Sequence, residues 1–312
     1  MSSAASAIAP PQDSPPVAAN VAVVPPGQVG ESPGYWQQVR RRLAKDPVTL
    51  VAAFVLLLIV LSAIFAPLLA PYDPYQGNVM ARLKPVGFEG HVLGTDETGR
   101  DMLSRLLHGG RLSLLSGLVP VAFALLIGGT LGILAGFLGG FWNSVIMRVT
   151  DVFFAFPSIL LAIAIVGLLG AGLFNTLLSL TLVFIPQVIR ISESVTTQVR
   201  SLDFVEAAKL SGAGPLTLIR HQILPNVLGP ILVYATSLVS LSIILAAGLS
   251  FLGLGVTPPT AEWGLMLNAL RQAIYVDPVL AALPGAVIFI TSMCFNLISD
   301  GLRAAMDVRI KL

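Results

Sequence analysis

The stretch Asp203-Phe-Val-Glu-Ala-Ala-Lys-Leu-Ser-Gly-Ala-Gly-Pro-Leu-Thr-Leu-Ile-Arg-His-Gln-Ile-Leu-Pro225 is polar, yet it lies between long apolar runs. Asp203 and Glu206 have the spacing of a capping box, in which each side chain satisfies the other residue's backbone amide. A helix is therefore expected from Phe204 to about Ser211, with Gly212 or Gly214 as its left-handed stop. Pro215 suits the first turn of a second helix, which carries Leu216, Leu218, Ile219 and Ile223 and meets Pro225. The segment thus predicts a bent pair of short helices, continuous with the apolar run that follows. A plain connecting linker is the competing reading, since capping boxes are common.

The surrounding chain reads as membrane. Hydrophobic residues make up 55% of it and charged residues 11%, against about 25% charged in soluble domains. A net charge of +2 gives no reason to expect a nucleic-acid partner, and Cys294 alone cannot build a disulfide framework or a Cys-rich metal site.

Residues 1–34 are rich in Pro and Ala and are expected to be a disordered tail, on the cytoplasmic side. Arg40, Arg41, Arg42 and Lys45 precede the first apolar run, so 35–70 reads as a basic anchor and first membrane helix. Residues 71–111 form a polar external loop. A transmembrane core occupies 112–302, with further spans near 112–138, 152–169, 173–191, 227–252 and 279–302, and a cytoplasmic tail follows at 303–312. The 152–169 span carries an expected kink at Pro157. The fold class is all-α, a polytopic membrane protein of six transmembrane helices with both termini cytoplasmic. The basic residues support that orientation, falling inside and outside at two to one, and it places loop 196–226 inside.

The Gly-rich stretches 128–140 and 248–255 suit close helix packing. Neither ends in the Gly-Lys-Ser/Thr of a phosphate loop. In His91-Val-Leu-Gly-Thr-Asp-Glu-Thr-Gly-Arg-Asp101 the acids and His91 are potential metal ligands, but a structural turn with Arg100 paired to a flanking acid is the better reading. Arg148/Asp151 and Asp300/Arg303 have the i,i+3 spacing of local ion pairs. Polar residues of the later spans, among them Ser237, Ser240 and Asn296, are candidates to line a pathway or to bridge helices.

Glu206-Ala-Ala-x-x-x-Gly212, followed by Leu224-Pro225, resembles the EAA loop of ABC importer permeases. Segments 93–101, 154–157, 223–226, 249–255 and 296–303 also resemble the C-type permease of dipeptide and oligopeptide importers, in the same order. Gln222 departs from the pattern, which prefers Ile there. The resemblance implies a MetI-like permease fold in a bacterial inner membrane, lying in the lipid bilayer. It implies that Asp203, Glu206, Ala207, Ala208, Gly212, Leu224 and Pro225 form an ATPase-coupling loop. The implied partners are ATP-binding subunits at the cytoplasmic face, a second homologous permease subunit in a heterodimer, an external solute-binding protein and a peptide substrate. ATP and Mg would sit on the ATPase, with no cofactor on this chain. Nickel complexes, glutathione or another small solute are the alternative cargoes. An ion-coupled carrier, the rival from another class, would need a charged relay at mid-membrane, and the spans offer none. A membrane enzyme lacks a nucleophile–base pair or metal set in any one segment.

Overall fold

The computed structural model describes residues 35–306. The Pro- and Ala-rich segment 1–34, and residues 307–312 with Arg309 and Lys311, lie outside the described residues. Among those described, regular structure is helical, with two isolated β-bridges in the 71–101 region.

A short basic helix, α1 (Tyr35–Leu43), turns into α2 (Pro47–Ile64), followed by the single turn α3 (Ala66–Leu69). Asp46 caps α2, accepting from the Val48 amide at 3.1 Å. Apolar residues surround α2 on all sides, and Val51, Phe54 and Leu58 face outward, as a lipid-facing helix requires.

The next helix, α4 (Met102–Leu138), starts inside the region expected as loop. Residues 102–111 are helical because Asp101 caps them, accepting from the Ser104 amide at 2.8 Å. Their polar side chains hid the helix from a reading by hydropathy. Arg111 donates to the carbonyls of Ala63 (2.7 Å) and Ile64 (2.6 Å), so it satisfies the open C-terminus of α2.

The expected 152–169 span is a broken pair. α5 (Gly140–Phe154) and α6 (Ser158–Leu169) meet at 86°. Pro157, between them, lacks the amide that would continue the ladder. α7 (Leu173–Arg200) then runs back beside α4, and these two helices make the most extensive contact in the bundle. Glycines allow it. A Cβ on Gly132 would lie 2.6 Å from that of Ser192, and one on Gly136 2.8 Å from that of Thr196. The 128–140 stretch is thus a packing surface, held by backbone-to-backbone dispersion contacts.

The remaining helices are α8 (Asp203–Leu210), α9 (Pro215–Thr217), α10 (Leu224–Phe251), α11 (Trp263–Ala269) and α12 (Pro278–Met306). α12 continues past residue 302, into the stretch expected as a tail. Counting α5–α6 as one span, six helical segments among the described residues are long and apolar enough to cross a membrane.

Neither expected local ion pair forms among the described residues. Asp151 pairs with Arg190 of α7, whose guanidinium also lies 4.2 Å from the centroid of the Phe154 ring. The bent α5–α6 unit is therefore tied across to α7 rather than within its own turn.

Candidate coupling site

α8 hangs from the end of α7 through Ser201 and Leu202. Its N-cap is Leu202, which makes no side-chain cap bond, so the expected capping box does not form. The helix starts one residue early: Asp203 is already helical, and the Glu206 amide bonds to the Leu202 carbonyl at 3.3 Å. Both carboxylates still lie in the first turn, where the helix dipole favours them. Glu206 is exposed, and its carboxylate makes no hydrogen bond within the described residues.

The other end is closed as the glycines predict. Gly212, at φ 84°, donates to Lys209 (3.1 Å), and Ala213 donates to Ala208 (3.2 Å), the two bonds of a Schellman motif. A Cβ at Gly212 would meet nothing within 4 Å, so glycine is required there by backbone angle and not by crowding. Gly214 is extended and carries no left-handed turn.

Pro215 opens α9, and residues Leu218–Ile223 form a π-helical segment that runs directly into α10. The Leu224 amide bonds five residues back, to Ile219. Pro225 brings no amide to the next turn, so the wider ring is accommodated where one donor is already missing. The π turn also explains Gln222. The buried face runs Leu218, Ile223, Val227, Ile231, a step of five followed by two of four. A step of four from Leu218 would have buried Gln222; the extra residue puts Ile223 there instead, fully enclosed.

Val205 is buried and pins α8 toward the bundle. The rest of the helix looks outward: Ala207 is exposed, and Leu202, Phe204, Leu210 and Leu216 form exposed apolar positions around it, with Leu210 at 89%. Ala208 and Leu224 are half-buried, whereas Asp203 and Pro225 are exposed. Behind α8 lies a hollow of about 1060 Å³, bounded by Phe137, Thr197, Arg200, Glu206 and Leu218. Arg200 reaches across to the Gly136 carbonyl at 3.3 Å, capping the last turn of α4 with a cation.

Two of the three pathway candidates bridge helices. Asn296 of α12 donates to Ser240 of α10 at 2.9 Å, and Ser237 bonds to the Tyr234 carbonyl in its own helix at 2.7 Å. Ser240 is buried, while Asn296 is exposed on the outer surface of the chain.

The opposite end is a closed polar cluster. Asp96 accepts from the amides of Thr98 (2.8 Å) and Arg100 (3.0 Å) and pairs with the guanidinium groups of Arg100 (2.7 Å) and Arg105 (3.2 Å). Arg100 also pairs with Glu97 at 2.9 Å. His91 bonds to Asp101 at 2.9 Å. Every candidate metal ligand of this loop except His91 is thus engaged by several donors or by an arginine, and no cluster suited to a metal occurs among the described residues. Arg105 also donates to the carbonyls of Pro74 (3.0 Å) and Pro259 (3.4 Å), joining the two loop regions at this end.

A buried carboxylate escaped the sequence reading. Glu262 accepts from the amides of Gly264 (2.9 Å) and Leu265 (2.8 Å) and from the Ser113 hydroxyl (3.1 Å), fixing the start of α11 against α4. Burial pushes its carboxyl above the usual range, partly offset by those bonds. Trp263 beside it donates its indole N–H to the Leu106 carbonyl at 2.9 Å. A lone acid in an apolar setting, just ahead of Trp-Gly, was the available signal.

Residues 128–312 match the family described as binding-protein-dependent transport system inner membrane component, and residues 34–85 match the N-terminal TM domain of oligopeptide transport permease C. The di/tripeptide transport system permease protein DppC of Pseudomonas aeruginosa is 44% identical over 282 residues, covering 89% of this chain and 92% of that one. The glutathione transport system permease protein GsiD of Pectobacterium atrosepticum is 40% identical over 276 residues, covering 88% and 92%. In fold, the chain is similar to the MetNI methionine ABC transporter in inward-facing conformations, with a TM-score of 0.55, 19% identity, and coverage of 65% of this chain and 97% of that one. The chain belongs to the binding-protein-dependent inner membrane component family and is a permease subunit of a bacterial ABC importer.

Proposed function

We propose that the chain moves short peptides across the inner membrane by alternating access, driven by a separate ATPase that seats on α8. The observation that carries this is the surface of α8: apolar side chains and the Glu206 carboxylate face outward on a helix closed by a rigid glycine turn. Such a surface has the composition of an interface core, with a charge available to a partner's arginine or amides. α8 sits between α7 and the continuous helix that becomes α10, so a push on it moves both as rigid bodies. ATP and its Mg belong on that ATPase.

The basic-residue bias supports α8 and both termini on the cytoplasmic side. A solute-binding protein then delivers cargo at the Asp96–Arg105 end, and a second permease subunit completes the pathway. Asn296 and Ser240 make an uncharged contribution to its wall. Peptide cargo is favoured by the names of the relatives, and glutathione is the second reading, since one relative carries it by name.

The experiment is purification of the tagged chain from its host membrane, followed by uptake assays in vesicles. We expect an ATPase to co-purify and labelled dipeptide uptake to require ATP. Excess unlabelled dipeptide should compete better than glutathione. Uptake of labelled glutathione but not of labelled dipeptide would reassign the cargo, and uptake driven by an ion gradient without ATP would overturn the reading.

A further inference from the structure

An apolar groove of about 430 Å³ runs along the outer side of the α2–α12 contact. Its walls are Val48, Val51, Ile290 and Met293, all exposed, and its floor is Ala52 and Cys294, both buried. Positions 48, 51, 52 and 55 of α2, and 290, 293, 294 and 297 of α12, form one stripe on each helix. The small floor residues are what keep the groove open.

One end of this groove is strongly basic. It begins at Pro47, directly after Arg40, Arg41 and Lys45, all exposed on α1 and the turn into α2. α1 packs against α12, so its cations stay over the helix pair. Arg303 adds an exposed cation at the same end of α12. Of the acids at this end among the described residues, Asp46 accepts from the Val48 amide and the Thr49 hydroxyl, and Asp300 is exposed.

We propose that this groove is a binding site for a phospholipid with an anionic headgroup, one acyl chain lying in the groove and the phosphate against Arg40, Arg41 and Lys45. The dimensions agree. From Pro47 to Val55 the groove follows α2 for about 12 Å, within one leaflet of a hydrocarbon core about 30 Å thick. The charges agree too, because basic residues at a membrane boundary attract anionic lipid. A packed protein helix would fill the apolar part and leave the cations unmatched.

The test uses the assembled importer in mild detergent, examined by native mass spectrometry. The probes are phosphatidylglycerol and phosphatidylcholine with identical acyl chains, and a phosphatidylglycerol bearing a photoreactive acyl chain. We expect phosphatidylglycerol to be retained at least about tenfold over phosphatidylcholine, and the photolabel to map to the groove positions Val48, Val51, Val55, Ile290, Met293 and Leu297. Arg40→Gln, Arg41→Gln and Lys45→Gln change exposed residues, and each should weaken phosphatidylglycerol retention about fivefold without affecting phosphatidylcholine. Ala52→Leu fills the floor and should abolish labelling of the groove. Equal retention of the two lipids, label spread evenly onto Phe54 and Leu58, or a groove closed to lipid and cross-linked to a second permease subunit would each overturn the proposal.

Discussion

One end of this bundle buries a bonded cluster of charged groups, whereas the other holds its charges at the surface. At the end formed by segments 71–101 and 252–277, Asp96, Arg100, Arg105, Asp101 and Glu262 are each satisfied by other parts of the same chain. At the α8 end the backbone is closed with equal care, by the Schellman turn and the π segment, yet Glu206, Leu210 and Phe204 face outward. A self-satisfied end is built to hold its shape. An end with a rigid backbone and unmatched side chains is built to meet something.

That contrast can be broken by mutation, and the largest effect should come from the satisfied end. Arg105 is buried and holds Asp96 and two loop carbonyls. Asp96 keeps Arg100, but the two loop carbonyls lose their donor at about 1–3 kcal/mol each, so Arg105→Ala should cost about 2–6 kcal/mol in sum, read as a collapse in the thermal midpoint of the purified complex. An unchanged midpoint would mean the cluster does not hold the two loops together. Next comes the core beneath the π turn. Ile223→Ala empties a fully buried position and should cost about 2–5 kcal/mol, whereas Gln222→Ala next to it should be near neutral. Equal costs would remove the five-residue step from the account.

Glu262 supplies a pH signature. Its carboxyl is raised in the folded chain by burial, and its unfolded value is near about 4.3. The stabilisation tied to that shift is fully present below the unfolded value and is lost as pH rises through the folded one. Stability should therefore fall as pH is raised from about 4.3, and Glu262→Gln should flatten that slope. Midpoints measured against pH for both proteins decide it; parallel slopes would contradict the assignment.

The smallest effects on stability, and the largest on function, belong to α8. Gly212→Ala should cost only about 1–2 kcal/mol, from its left-handed angle in open space. Glu206→Lys changes an exposed side chain and should alter stability by less than about 0.5 kcal/mol. Both Glu206→Lys and Gly212→Asp should nonetheless abolish ATP-driven uptake while leaving membrane insertion intact. Normal uptake in both would show that α8 is a linker.

Features governed by neighbouring residues were legible in the sequence. The apolar parts of the spans, the break at Pro157, the left-handed stop at Gly212 and the small-residue face of 128–140 follow from local rules, although two of the spans begin earlier than expected, at Met102 and Gly140. The Asp203–Glu206 box failed by one residue, because the helix starts at Asp203 itself and not after it. Asp151 was read with Arg148, its neighbour on the helix, but it bonds to Arg190 on another one. The start of α4 was hidden because polar side chains at 100–111 lower the hydropathy while satisfying carbonyls far along the chain. Glu262 and Arg105 were missed for a related reason: each has one partner more than a hundred residues away, at Ser113 and Pro259. Gln222 looked like a departure from pattern, and only the π turn shows how the chain accommodates it.

The proposed seat of the ATPase is α8, and not the opposite end. Cys294 is the only cysteine and is buried, so a single engineered thiol can report on one surface position. Leu210→Cys on α8 and Tyr75→Cys at the other end, both at exposed positions, can be treated with a short thiol cross-linker in native membranes. The account predicts an adduct with the ATPase from Leu210→Cys alone, altered by ATP. No adduct from Leu210→Cys, or equal adducts from both positions, would contradict it.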